Sequence, residues 1–200
     1  MSIWDAHCAR ACDLALLLAV AAAPEDVEDR QMVHGFLLHD IGKRVLPDAI
    51  LNKPGPLDDE EHAIVRTHPQ AGWRMLNEVE FGARTRDVVL YHHEHWDGSG
   101  YPLGLSGERI PLWARIFAIA DAVDAMTSDR PYRRAMTLQA ALDELRAQSG
   151  RQFDPALVEL FLGLDRERLG RYTADAARSV ASKSVFGMGP THGELVPAAA

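Results

Sequence analysis

No clear run of alternating apolar and polar residues occurs in the 200-residue chain, which argues against a sheet-based core. Apolar residues recur instead at helical spacing. Leu138, Ala141, Leu142 and Leu145 stand at i, i+3, i+4 and i+7, behind Thr137 as a capping residue and ahead of Gly150 as a stop. Asp154-Pro155 pairs a cap with a first-turn proline, and Leu157, Val158, Phe161 and Leu162 then line one face. Asp58 can cap a helix opening on Asp59, Glu60 and Glu61, whose charges favour the positive end of the helix dipole. The expected fold class is all-α.

Two segments interrupt the helical pattern. Residues 42–57 carry Pro47, Pro54, Gly55 and Pro56, and residues 97–111 carry four glycines and two prolines. At about fifteen residues each they are long for connectors, so they are expected to shape a site. After about Tyr172 the sequence turns to small residues, with Val180, Val185, Phe186 and Met188 as its larger apolar anchors. One domain over residues 1–172 and a loosely held tail over 173–200 are therefore expected. No internal repeat is found.

The charge balance, 21 basic against 29 acidic residues, gives −8 and disfavours a long nucleic acid as partner. A small ligand held by a metal and a few arginines remains compatible with it. Cys8 and Cys12 are too few for a disulfide framework and read as buried thiols in a reducing compartment. Residues 14–23, "LALLLAVAAA", are too short to span a bilayer, and Asp5 and Asp13 outweigh Arg10 where an export signal needs positive charge. This segment is expected to be a buried amphipathic helix, with no membrane partner.

Metal-type donors gather at the ends of apolar stretches. His39-Asp40 closes residues 33–38, His68 stands before Pro69 at the mouth of a new helix, His92 and His93 follow Val88-Val89-Leu90, and Asp121 follows residues 116–120. An imidazole and a carboxylate side by side can lean toward one ion, and a donor at the edge of a core-facing segment has neighbours that hold its rotamer. One such dipeptide is common; the recurrence carries the argument. Asp124 follows Asp121 by three residues on the same helical face and is suited to orient a ligand histidine.

In order and spacing, "HDIGK" at 39–43, "HPQAG" at 68–72, "HHEHWDGSGYP" at 92–102 and "IADAVDAMTSDRPYR" at 119–133 resemble the HD-GYP family of the HD phosphohydrolase superfamily. The resemblance runs from about His7 to about Leu162. It implies a helical HD bundle with two irregular active-site loops, a bimetallic centre and, in many members, hydrolysis of cyclic di-GMP. By position, His7, His39, Asp40 and Asp121 would hold one ion, and His68, His92 and His93 the second, with Asp40 bridging. Oxygen and imidazole donors without thiolate suit iron or manganese here, although ligand type alone does not exclude zinc. A hydroxide shared by the two ions would attack the phosphodiester.

The same resemblance places Lys43 near the phosphate, where it would offset charge or protonate the leaving 3′-oxygen. Arg130, with Arg133 as a weaker candidate, would grip the substrate. Glu94 and Asp97 would support the loop or a ligand ring. Tyr101 would present its hydroxyl to substrate or pack under the loop, and these alternatives stay open. His95 stands where the family carries arginine or lysine and is expected outside the ligand set; His34, His62 and His192 match no motif. Three-metal members carry a glutamate four residues before the first histidine, where this chain has Ile3, so two ions are expected.

These residues imply a cytoplasmic phosphodiesterase that makes pGpG or GMP, either standing alone or joined to a sensor or receiver domain. A phosphohydrolase acting on another cyclic or linear dinucleotide or a nucleotide keeps the same metal chemistry. A non-catalytic effector that binds nucleotide, or a partner such as a diguanylate cyclase, would be expected to have lost ligands that are all present here.

Overall fold

A computed structural model describes residues 3–26, 28–129 and 134–172. They form ten α-helices: α1 Ile3–Ala22, α2 Arg30–Leu38, α3 Asp48–Leu51, α4 Asp59–Val65, α5 His68–Asn77, α6 Ala83–Tyr91, α7 Leu112–Thr127, α8 Leu138–Ala147, α9 Pro155–Leu162 and α10 Arg166–Arg171. Among the described residues there is no β-strand beyond an isolated bridge between Ser149 and Phe153. The all-α expectation holds. Residues 173–200, expected as a tail, lie outside the described residues.

The caps explain where helices start. The Asp58 carboxylate accepts from the Glu61 N–H while the Glu61 side chain accepts from the Asp58 N–H, a reciprocal box that satisfies two groups at the head of α4. Thr137, Asp154 and Asp165 cap α8, α9 and α10 through the same kind of side-chain acceptor. Residues 42–57, expected as an irregular segment, are locally ordered: a 3-10 turn spans Ile41–Val45, and Pro47 leads into α3, its carbonyl accepting from Ile50 and Leu51. Pro47 opens a helical turn here instead of preventing one, since its fixed φ suits helix entry.

α1 lies against α7 and α2, α2 against α6, and α5 against α6 and the 3-10 turn. Leu14, Ala15, Leu18 and Ala19 of the segment "LALLLAVAAA" are fully buried while Val20 is exposed, as an amphipathic helix requires. Among the described residues no helix is long and apolar enough to cross a membrane. Phe36 of α2 stacks on Phe117 of α7 with ring centroids 5.3 Å apart. This pair is the apolar floor of the site, because the His39 ring lies 4.6 Å from Phe117. Cys12 is buried, and burial pushes its thiol up to about 12, whereas Cys8 is only half-buried, short of the expectation for it.

Two glycines let the backbone of the 3-10 turn meet α5. A Cβ on Gly42 would lie 2.0 Å from the His68 carbonyl oxygen and 2.5 Å from the Gly72 nitrogen, and Gly72 itself faces the Gly42 nitrogen. The segment carrying Asp40 is thereby fixed against the helix that begins with His68.

Candidate metal centre

His39 and Asp40 leave the C-terminal end of α2, His68 opens α5, His92 and His93 follow α6, and His7 and Asp121 face each other from α1 and α7. The structure draws these seven residues into two adjoining groups. In one, ligand atoms of Asp40, His68, His92 and His93 lie within 4.8 Å of one another; in the other, those of His7, His39 and Asp121 do. Spans of that size suit single ions with nitrogen and oxygen ligands.

The Asp40 carboxylate faces both groups. Its Oδ1 is 3.2 Å from His68 Nε2 and 4.0 Å from His92 Nε2, while its Oδ2 is 3.4 Å from His39 Nε2 and accepts from Lys43 Nζ at 2.6 Å. Among the described residues Oδ1 is buried without completing a hydrogen bond to any partner. A buried carboxylate oxygen left so is costly unless something cationic meets it.

The tautomers point the same way. His39 Nδ1 lies 2.9 Å from the Phe36 carbonyl, His68 Nδ1 2.7 Å from that of Val65, and His92 Nδ1 3.0 Å from that of Val89. Each Nδ1–H is thus spent on a backbone acceptor, and each Nε2 lone pair faces the centre; His68 and His92 place theirs 3.3 Å apart. Burial, followed by the neighbouring charges of His93 and His39, holds His92 well below the usual imidazole range, and burial brings His93 down to about 4. Both rings are neutral near pH 7, the form that binds a metal.

His7 differs. Burial opposes its charged form, but hydrogen bonds to Asp121 and Asp124 and the charges of both carboxylates outweigh this and raise it to about 9. Its Nδ1 donates to Asp124 Oδ2 at 2.6 Å, leaving Nε2 3.3 Å from Asp121 Oδ1. Asp124, fully buried, is in turn gripped by Arg10, whose Nε donates to Oδ1 at 2.5 Å. Arg10 was not singled out in the sequence, although its position three residues after His7 puts both on one face of α1. Asp124→Asn is expected to weaken metal binding at the His7 group about 10- to 100-fold, because the orienting carboxylate sets the basicity of the ring. Chelator competition measures this, and unchanged affinity would refute the role.

The glycine-rich segment forms the adjacent wall. Gly98, Gly104 and Gly107 have positive φ, and Gly100 passes so close to the backbone of residues 93–95 that a Cβ would collide with it. Buried Glu94 holds the loop: Oε1 accepts from the Leu103 N–H at 2.7 Å and Oε2 from the Leu105 N–H at 3.0 Å. Glu94→Gln keeps one acceptor oxygen and is expected to cost about 1–3 kcal/mol in urea unfolding, the penalty for one abandoned amide. Exposed Asp97 only caps the turn, accepting from the Ser99 N–H, and His95 sits within hydrogen-bonding distance of Ser99, away from both groups. Tyr101 stacks on His93 with centroids 4.8 Å apart, and the exposed Arg66 guanidinium lies 5.5 Å from the same ring. Arg66 was also missed. Arg130 and Arg133 lie outside the described residues.

The HD domain family matches residues 4–157. A cyclic di-GMP phosphodiesterase response regulator of Xanthomonas campestris is 48% identical over 130 residues, covering 62% of this chain and 34% of the relative. A 3′3′-cGAMP-specific phosphodiesterase of Vibrio cholerae is 46% identical over 127 residues, covering 62% of this chain and 24% of the relative. The matched part of the chain thus spans between about a quarter and about a third of the length of these relatives. A solved cyclic GMP-AMP-specific phosphodiesterase of Vibrio cholerae superposes with a TM-score of 0.64 at 23% identity, over 88% of this chain and 48% of that one, and so shares its fold.

Proposed function

Because the chain belongs to the HD domain family and carries the HD-GYP motifs in order, we propose that it is a metal-dependent phosphodiesterase hydrolysing cyclic di-GMP to pGpG, GMP or both. The observation that carries this reading is the carboxylate of Asp40, whose two oxygens face two separate donor groups while its buried Oδ1 lacks a hydrogen bond among the described residues. Two divalent ions, iron or manganese, fit these groups, with His7, His39 and Asp121 on one side, His68, His92 and His93 on the other, and Asp40 shared. Bound there, they supply Lewis acidity that makes water a competent nucleophile near neutral pH.

The protein's own groups do the rest. Lys43, paired with Asp40, puts an ammonium at the edge of the centre, where it offsets charge building on the phosphate and can deliver a proton to the leaving 3′-oxygen. Tyr101 and Glu94 act by position, one through the His93 ring and the other by holding the wall. Arg130 and Arg133 remain the proposed substrate grips beyond the described residues. The cytoplasm suits two cysteines that form no disulfide framework, and a nucleotide substrate. A sensor or receiver domain is the regulatory partner this reading expects.

The test is hydrolysis by protein loaded anaerobically with iron or manganese, offered cyclic di-GMP and 3′3′-cGAMP in parallel, with products separated by chromatography. Faster cleavage of cyclic di-GMP is expected. Preference for 3′3′-cGAMP would move the protein to the second reading, which its Vibrio cholerae relative supports.

A further inference from the structure

Of the five histidines in the two donor groups, four are oriented by a hydrogen bond at Nδ1: His39, His68 and His92 to a backbone carbonyl, and His7 to Asp124. His93 is the exception. Among the described residues its ring makes no hydrogen bond and packs instead against other rings. Two of these, His92 at 4.1 Å and His68 at 5.0 Å between centroids, belong to its own donor group. The third is Tyr101, 4.8 Å away and tilted by only 27°.

The backbone sets this stack. The Tyr101 N–H donates to the His93 carbonyl at 3.1 Å, and a Cβ on Gly100 would stand 2.5 Å from the same oxygen, so residues 93 and 101 are held side by side. Arg66 joins from another element. Its Cζ lies over the Tyr101 ring, 5.5 Å from the centroid, within reach of a cation–π attraction. Arg66 closes α4 two residues before His68 opens α5, so one helix joint delivers both a donor and this cation. Among the described residues the exposed guanidinium enters no ion pair, and the Tyr101 hydroxyl makes no hydrogen bond. The face of the Tyr101 ring is what both neighbours use. An imidazole turns broadly about its outer torsion unless something holds it, and a donor that must first be ordered binds its ion more weakly.

We propose that the Tyr101 ring, backed by the Arg66 guanidinium, does for His93 what a hydrogen bond does for the other four histidines, which makes Arg66 a positioning residue for the donor group of His68, His92 and His93. The inference deepens the two-ion phosphodiesterase reading and rests on it for the metal.

The test is chelator competition with manganese on the full chain, comparing wild type with Arg66→Ala, Arg66→Lys, Tyr101→Leu and Tyr101→Phe, each checked for folding by circular dichroism. One of the two binding constants should fall about two- to fivefold in Arg66→Ala, as for an exposed cation–π contact, and about tenfold in Tyr101→Leu, the other constant staying unchanged. Tyr101→Phe and Arg66→Lys, which keep the ring and the charge, should stay within about twofold of wild type. A cycle with His93→Ala separates positioning from general packing: if Arg66 acts through His93, its removal from a chain already lacking His93 changes nothing further. Unchanged constants in Arg66→Ala and Tyr101→Leu, equal losses in Tyr101→Phe and Tyr101→Leu, or an Arg66→Ala loss that persists without His93 would overturn the proposal. Cyclic di-GMP hydrolysis is scored on the same preparations. The predicted losses with no cleavage by the wild type reject the phosphodiesterase reading alone, cleavage with unchanged constants rejects the positioning role alone, and a wild-type chain that takes up no manganese at these groups rejects both.

Discussion

Asp40→Asn should abolish turnover, lowering kcat/KM for cyclic di-GMP by about a thousandfold or more, equivalent to about 4 kcal/mol of lost transition-state stabilisation. The substitution is nearly isosteric, so it leaves no cavity. It removes the one charge that faces both donor groups, and puts an amide N–H where a ligand oxygen stood. In the native protein burial opposes the charge on Asp40, but His39, then His68 and Lys43, outweigh it and hold the carboxyl well below the usual carboxylate range, so it is ionised throughout the neutral range. Loss at one group alone would lower metal content by half; loss of the shared residue should empty both. Steady-state hydrolysis and elemental analysis of the same preparation measure the two effects. A variant that keeps more than about a tenth of the activity would show that Asp40 is not the residue the two donor groups share.

Gly42→Ala should cost stability at the upper end of what overpacking produces, about 3 kcal/mol. The added methyl would meet the His68 carbonyl and the Gly72 nitrogen, both backbone atoms that no rotamer change can move aside. Relief requires the 3-10 turn to separate from α5, which also parts Asp40 from His68. Metal affinity should therefore fall together with stability. Urea unfolding gives the first quantity, and a loss below about 1 kcal/mol would show that the turn has slack the close approach does not suggest.

These two residues also show what a sequence can reveal of such a site. Asp40 was legible because it ends an apolar stretch beside a histidine, and similar donors recur at the ends of other core-facing segments. Helix ends are where local pattern and chemistry coincide, so His68 before Pro69 and Asp121 within an apolar helix were legible for the same reason. Gly42 was legible only as a breaker. Its actual role, the contact with Gly72, depends on how α5 folds back, and no local periodicity encodes that.

The same limit applies to Arg10, which binds Asp124 across 114 residues of sequence, and to Arg115, which joins the Ile110 carbonyl to Asp154 and so ties the end of the glycine-rich segment to α9. Glu94 was expected to support either the loop or a ligand ring. Its two backbone partners emerge only once the loop turns back on itself. The Tyr101 ring packs on His93, a contact that a motif alone could not specify. The segment before α3 shows that prolines mark a change of direction more reliably than an absence of helix.

If two ions in the adjoining groups drive phosphodiester cleavage, a metal titration of apo-protein under anaerobic conditions, with bound metal and cyclic di-GMP hydrolysis read from the same samples, should saturate at two ions per chain, product formation rising as the second is filled. Saturation at one ion, or full occupancy by two with no cleavage of any cyclic dinucleotide, would rule out the two-ion phosphodiesterase.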